Sequence, residues 1–132
     1  MNLLRITLRG QTRPKKNSKQ VVRIHGRPMV ISSKRYMEWH KDAMKQLEDA
    51  NVPKNKIDSE IEVKCKFYQE DRRARDLSNM IESINDLLVD YEFLADDNRK
   101  IIKKLIITDG GVVGKDAARA EVEVNEWDGD SY

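Results

Sequence analysis

Residues 61–89 read IEVKCKFYQEDRRARDLSNMIESINDLLV, and the period of their apolar positions changes partway through. Ile61, Val63, Cys65 and Phe67 alternate with charged neighbours, so every second side chain shares one face, which predicts a strand over 57–67. The polar run 70–76 breaks that order. From Leu77 onward, Met80, Ile81, Ile84, Leu87 and Leu88 recur at three- and four-residue spacing, the apolar stripe of a helix over 77–89. A strand, a run of acids and arginines, and a helix thus follow one another, and the remaining elements flank them.

Toward the N-terminus, Leu4, Ile6 and Leu8 alternate in a half-buried strand over 2–8. A Gly/Pro/Lys/Asn/Ser stretch around Pro14 predicts a mobile basic loop over about 10–20. Residues 21–24 and 29–31 then pair as a hairpin about His25, Gly26 and Arg27. Ser32 and Ser33 supply cap chemistry for a helix over 34–50, with Tyr36, Trp39, His40, Ala43 and Leu47 along one face and Pro53 marking its end. Toward the C-terminus, strands over 101–108 and 120–124 are joined around Gly110, Gly111 and Gly114, and an acidic tail follows over about 126–132. The expected fold class is α/β (α+β), one domain over 1–132, with a small mixed sheet and two main helices.

With 36% charged and only 6% aromatic residues, the 132-residue chain builds a thin core, which oligomerisation would help to stabilise. Cys65 is the only cysteine, so no intramolecular disulfide forms, and the thiol is expected to be buried and structural. The N-terminus has no apolar stretch of the signal-peptide or membrane-spanning kind, making the cytoplasm the expected compartment and a membrane partner unexpected. Charge is polarised along the chain: residues 1–56 carry 14 Lys/Arg against 4 Asp/Glu, and residues 57–132 carry 11 against 19. A concentrated basic half suits a polyanionic partner, although solvated lysines give the same count.

Asp71-Arg-Arg-Ala-Arg-Asp76-Leu-Ser-Asn79, followed after the helix by Leu94-Ala-Asp96-Asp97-Asn98, holds the residues with chemistry. Phosphodiester hydrolysis benefits from hard divalent cations held by carboxylates, with Mg²⁺ the natural candidate. Only His25 and His40 accompany the single cysteine, too few for a closed zinc site, and neither a P-loop nor a dinucleotide fingerprint is present, so no nucleotide cofactor is expected. A helix from Leu77 to Asp90 rises about 21 Å, and the seven steps from Asp90 to Asp97 span roughly 23 to 25 Å when extended, so Asp97 can fold back toward Asp76. The same residues also fit plainer roles: Asp76 as a helix cap, Asp96, Asp97 and Asn98 as turn formers, and Arg72, Arg73 and Arg75 as a solvated run.

These motifs resemble the signature of RusA-type Holliday junction resolvases. The resemblance extends through the loop Arg13-Pro-Lys-Lys-Asn17, the Gly26-Arg-Pro28 hairpin, Ser33-Lys-Arg-Tyr36 opening a helix, and a closing pair of strands. It implies a homodimeric α/β fold that cuts four-way DNA junctions symmetrically with Mg²⁺. Asp76 matches the family's first catalytic aspartate and Asp97 its last, with Asp96 alongside, and Asn79 matches the motif's asparagine. Two positions depart: Ser78 stands where the family has a second aspartate, and Glu82 where it has a helical lysine. Because a helical side chain leans toward the preceding turn, Glu82 can place its carboxylate near the missing aspartate's position, giving Asp76, Asp97 and Glu82 as expected metal ligands; a solvent-facing Glu82 fits the sequence equally. The resemblance also implies DNA contacts from Lys15, Lys16, Asn17, Lys19, Arg23 and Arg27 and from Arg72, Arg73, Arg75 and Asn79. A protein that binds branched DNA but has lost cleavage through Ser78 and Glu82 is the alternative, and a general interaction module the third reading.

Overall fold

The computed structural model describes residues 1–15 and 19–129. Eight elements follow in order: β1 (Asn2–Arg9), β2 (Lys19–Ile24), β3 (Arg27–Ser32), α1 (Lys34–Asp49), β4 (Ile61–Gln69), α2 (Leu77–Asp90), β5 (Ile102–Val112) and β6 (Arg119–Glu126). Four strands form one mixed sheet in the order β1-β6-β4-β5, and β2 and β3 form a separate hairpin. The sheet is antiparallel except where β4 meets β5. Parallel neighbours need a crossover, and α2 supplies it.

Alternation in β4 is complete: Ile61, Val63, Cys65 and Phe67 are buried while Lys64 and Lys66 are exposed. Leu4 and Leu8 of β1 and Ala120, Val122 and Val124 of β6 join the same apolar face, onto which α1 brings Tyr36, Trp39, Ala43 and Leu47 and α2 brings Met80, Ile84, Leu87 and Leu88. Both helices therefore cover one face, and the other is left to Arg5, Lys64, Lys66, Glu121 and Glu123 around a shallow cavity. The end of α2 is tied to α1 and the loop after it: the Tyr91 hydroxyl donates to the Val52 carbonyl oxygen at 2.7 Å, and Asp90 meets His40 of α1 at 2.8 Å. Burial pushes the Cys65 thiol up to about 12, so it stays protonated and inert at neutral pH. No described helix is long and apolar enough to cross a membrane.

Several expected boundaries shift, with β2 and β3 each starting two residues earlier than expected, at Lys19 and Arg27. Residues 57–60 lie outside β4, with only Ile57 bridging to Leu94, so the strand begins at Ile61. β5 continues past Thr108 through Gly110 and Gly111. The Tyr68 ring lies against Gly110, where an added Cβ would come within 2.7 Å of it, and absence of a side chain there lets β5 run on beside β4. The hairpin turn is tighter than expected: Arg27 already pairs with Ile24, and His25 and Gly26 alone make the turn, both with positive φ, 54° and 77°, which matches the right-handed twist of the flanking strands.

Candidate active site

α2 begins directly after the acidic and arginine-rich segment. Asp76 is its N-cap residue in extended conformation, yet its carboxylate makes no capping hydrogen bond. It accepts instead from the buried Asn79 side chain at 3.3 Å, which leaves Asp76 exposed and oriented by its neighbour one turn on. Asn79 is thus buried on α2 with its amide turned to Asp76. Ser78 and Glu82 are exposed on the same helix.

Arginines in the preceding segment divide into two kinds. The Arg75 side chain, only 10% exposed, reaches Asp71 at 2.9 Å and Glu70 at 3.8 Å. Arg13 reaches Glu70 at 2.9 Å from the other side. A hydrogen bond from the Arg73 amide, together with the Arg75 guanidinium, holds the Asp71 carboxyl below the usual carboxylate range. Arg75 therefore braces the segment from within, while Arg72 and Arg73 are exposed and line a groove of about 320 Å³ with Asp71, Asp109 and Gly111.

The basic loop is partly fastened rather than free. Gln11 is buried, donates to Gln69 at 2.9 Å and accepts from the Glu70 amide at 2.8 Å. The Ser83 hydroxyl donates to the Arg13 carbonyl at 2.8 Å and accepts from the Lys15 amide at 3.2 Å. Lys15 then lays its ammonium 3.6 Å from Asp86. In the first half of this loop, Ser83 and Gln11 supply the backbone and side-chain partners that a free loop would take from water. Lys16 and Asn17 lie outside the described residues, as does the end of the acidic tail, and Lys19 is described only through its pairing in β2. Arg23 and Arg27 are exposed on the hairpin.

Asp97 lies in the loop between α2 and β5, its carboxyl raised above the usual range by desolvation, then by the charge of Asp86 and by hydrogen bonding and repulsion from Asp96. Asp86 stands ten residues beyond Asp76, roughly 15 Å along the helix axis. The acid on α2 that Asp97 senses is therefore Asp86, one turn beyond Glu82. The burial of the Tyr36 hydroxyl, with the charge of Asp86 and Asp90, carries its pKa up to about 12, which marks the same side of α2 as strongly negative. Among the described residues no three His, Cys, Asp or Glu side chains are gathered closely enough to cage an ion. The donor chemistry nevertheless fits Mg²⁺: the candidate donors are hard carboxylate oxygens, their mutual repulsion at Asp97 is of the sign a cation relieves, and Mg²⁺ commonly takes only one or two carboxylates with waters and substrate phosphate. Such an arrangement can hold a phosphodiester between exposed cations and a carboxylate pair.

A protein-family model described as Endodeoxyribonuclease RusA matches residues 8–125, from the end of β1 into β6, and takes in every candidate site residue. No curated protein matches the chain.

Proposed function

Since the chain belongs to the RusA endodeoxyribonuclease family, whose members bind branched DNA and resolve Holliday junctions, we propose that it cuts four-way junctions by Mg²⁺-dependent hydrolysis, giving paired nicks from a homodimer. The observation that carries this reading is that Lys15 stands 3.6 Å from Asp86 on α2, while the carboxyl pKa of Asp97, in the loop after that helix, is raised by desolvation and by the charges of Asp86 and Asp96, so acids suited to a cation adjoin a lysine suited to phosphate. Asp76, Asp97 and Glu82 are the residues assigned to hold the ion, with Asp96 next to Asp97. When bound, Mg²⁺ neutralises charge on the scissile phosphate and makes attacking water more acidic. Asn79 keeps the Asp76 carboxylate oriented, Arg75 holds Asp71 and thereby the course of the segment, and exposed Arg72 and Arg73 steady the phosphate. Lys15, Lys16, Asn17 and Lys19, with Arg23 and Arg27 on the hairpin, hold the junction arms through contacts that position DNA without reading sequence.

A second reading is favoured by one observation, the lack of a three-carboxylate cage among the described residues together with Ser78 and Glu82 at the two departing positions. On it, the chain binds junctions and does not cut them. Cleavage of a synthetic four-way junction against a linear duplex of the same sequence, with Mg²⁺ or chelator, separates the two. Paired nicks that need metal and are lost in Asp97→Asn support the resolvase; tight junction binding without any cut supports the binding protein and overturns hydrolysis.

A further inference from the structure

Lys15 is held to α2 by its backbone and again by its side chain. The Ser83 hydroxyl donates to the Arg13 carbonyl at 2.8 Å and accepts from the Lys15 amide at 3.2 Å. The Lys15 ammonium then lies 3.6 Å from the carboxylate of Asp86, three residues beyond Ser83 on the same helix. Residues at that spacing are surface neighbours, so the anchor and the acid stand side by side and the lysine stem spans the gap between them. Neither charge is sealed away: the two side chains are 46% and 33% exposed, open to an incoming ion or phosphate. Asp86 is also the acid on α2 whose charge reaches Asp97. An ammonium and a divalent cation therefore compete here, since the same carboxylate attracts both and they repel each other.

We propose that Lys15 is an exchangeable counter-ion of the acidic site, which the divalent cation displaces from Asp86 and so releases to bind DNA phosphate. This rests on the metal-dependent reading above. Without the cation, Asp86 holds Lys15, and a phosphate that recruits the lysine must break that pair and approach an uncompensated carboxylate. Without DNA, the cation must enter beside an ammonium. Whichever ligand arrives first separates Lys15 from Asp86, so the second binds more easily, and by linkage the ion tightens DNA by the same factor that DNA tightens the ion. A half-exposed ion pair sets the part of this coupling that runs through Lys15 at about two- to fivefold in affinity. Direct contact between ion and phosphate adds coupling of its own, and only the part lost with the lysine charge belongs to the exchange. Because Ser83 holds the Lys15 backbone, the exchange needs a turn of the side chain and no movement of the loop.

The test uses Lys15→Met, which keeps the stem and the Ser83-bound amide and removes the charge, together with Asp86→Asn. Ion affinity is read without DNA from the rise of the unfolding midpoint with Ca²⁺. Junction affinity is read by fluorescence anisotropy of a labelled four-way junction in Ca²⁺ or chelator, and Mg²⁺-dependent cutting is assayed separately. Lys15→Met is expected to bind Ca²⁺ about two- to fivefold more tightly than the wild type without DNA, and to lose a similar factor from the gain in junction affinity that Ca²⁺ brings. In chelator, Asp86→Asn is expected to bind the junction more tightly, and by a smaller factor when Lys15 is already Met. Equal or weaker Ca²⁺ binding by Lys15→Met, an equal Ca²⁺-dependent gain with and without the lysine, equal gains from Asp86→Asn in both backgrounds, or Ca²⁺ that binds neither protein would each overturn the exchange. Cutting by the wild type with no effect of Lys15 on ion affinity keeps hydrolysis and removes the exchange; the expected shifts with no cut at any Mg²⁺ concentration do the reverse.

Discussion

Ser83 of α2 donates its hydroxyl to the Arg13 carbonyl oxygen at 2.8 Å, which ties the basic loop to the helix that carries the candidate acids. Ser83 is buried and its hydroxyl accepts from the Lys15 amide as well, so Ser83→Ala leaves a partly buried carbonyl and an amide without that partner. The expected loss of stability is about 1–3 kcal/mol, read from the denaturant midpoint. Junction affinity should fall further than the stability change explains, because Lys15 is held in place through this bond. Equal affinity for wild type and variant would show that the fastening has no bearing on DNA.

Lys15 lies near both kinds of partner, with Asp86 at 3.6 Å in the chain and solvent on its other side. Changing Lys15 and Lys16 to Ala should weaken binding to all junction sequences alike and reduce the steepness of its salt dependence, by about 0.9 in log–log slope for each phosphate that is no longer neutralised. An unchanged slope removes these lysines from the phosphate-binding surface.

Glu82 stands four residues after Ser78 on α2, and exposure leaves its carboxylate free to serve the ion in place of the missing aspartate. Glu82→Ala is therefore expected to lower Mg²⁺ affinity and cleavage together by at least tenfold while leaving the thermal midpoint nearly unchanged. Retained affinity and rate would return Glu82 to the solvent face.

Gly110 has no room for a side chain. An added Cβ would lie 2.7 Å from the Tyr68 ring, whose position is fixed by the Arg119 guanidinium 3.8 Å from its centroid. Gly110→Ala should cost about 1–3 kcal/mol through overpacking. Because the clash is with the ring itself, Tyr68→Ala should relieve most of it, and a double-mutant cycle by denaturant unfolding measures that relief. Additive effects would place the strain elsewhere.

Periodicity made the framework legible: the alternation of Ile61 to Phe67 and the stripe from Met80 to Leu88 appear in β4 and α2 as expected, and Ser33 caps α1 by accepting from the Tyr36 amide. What could not be read were contacts made by polar side chains far apart in sequence. Ser83 looks like an ordinary polar residue on a helix until Arg13 and Lys15 come to it from 70 and 68 positions away. Asp86 is one acid among several until the loop bearing Asp97 lies near it. Gln46 likewise carries no local sign that its carboxamide pairs with the backbone of Arg9. The motif matched to the RusA family led to Asp76 and Asp97, yet only the folded chain distinguishes Arg75, which braces the segment, from Arg72 and Arg73, which face solvent.

Asp97 supplies the pH dependence that follows from these acids. Its folded-state pKa lies above the ordinary carboxylate value of 3.8, first through desolvation and then through Asp86 and Asp96. Between the unfolded and folded values the folded chain binds more protons than the unfolded one, so stability falls as pH rises through that window, and the penalty persists at neutral pH. Asp97→Asn removes the charge without changing the shape. The variant should therefore be more stable than wild type at pH 7, and the advantage should vanish below the unfolded carboxylate value, where Asp97 is protonated in both states. Mg²⁺ should raise the unfolding midpoint of the wild type at pH 7 and leave Asp97→Asn largely unmoved, since a ligand stabilises only the state that binds it. Cleavage should be lost in the same variant. A stabilised but inactive Asp97→Asn identifies a residue kept for chemistry at the expense of stability; equal stability at pH 7 would mean that Asp86 and Asp96 exert no net repulsion on it.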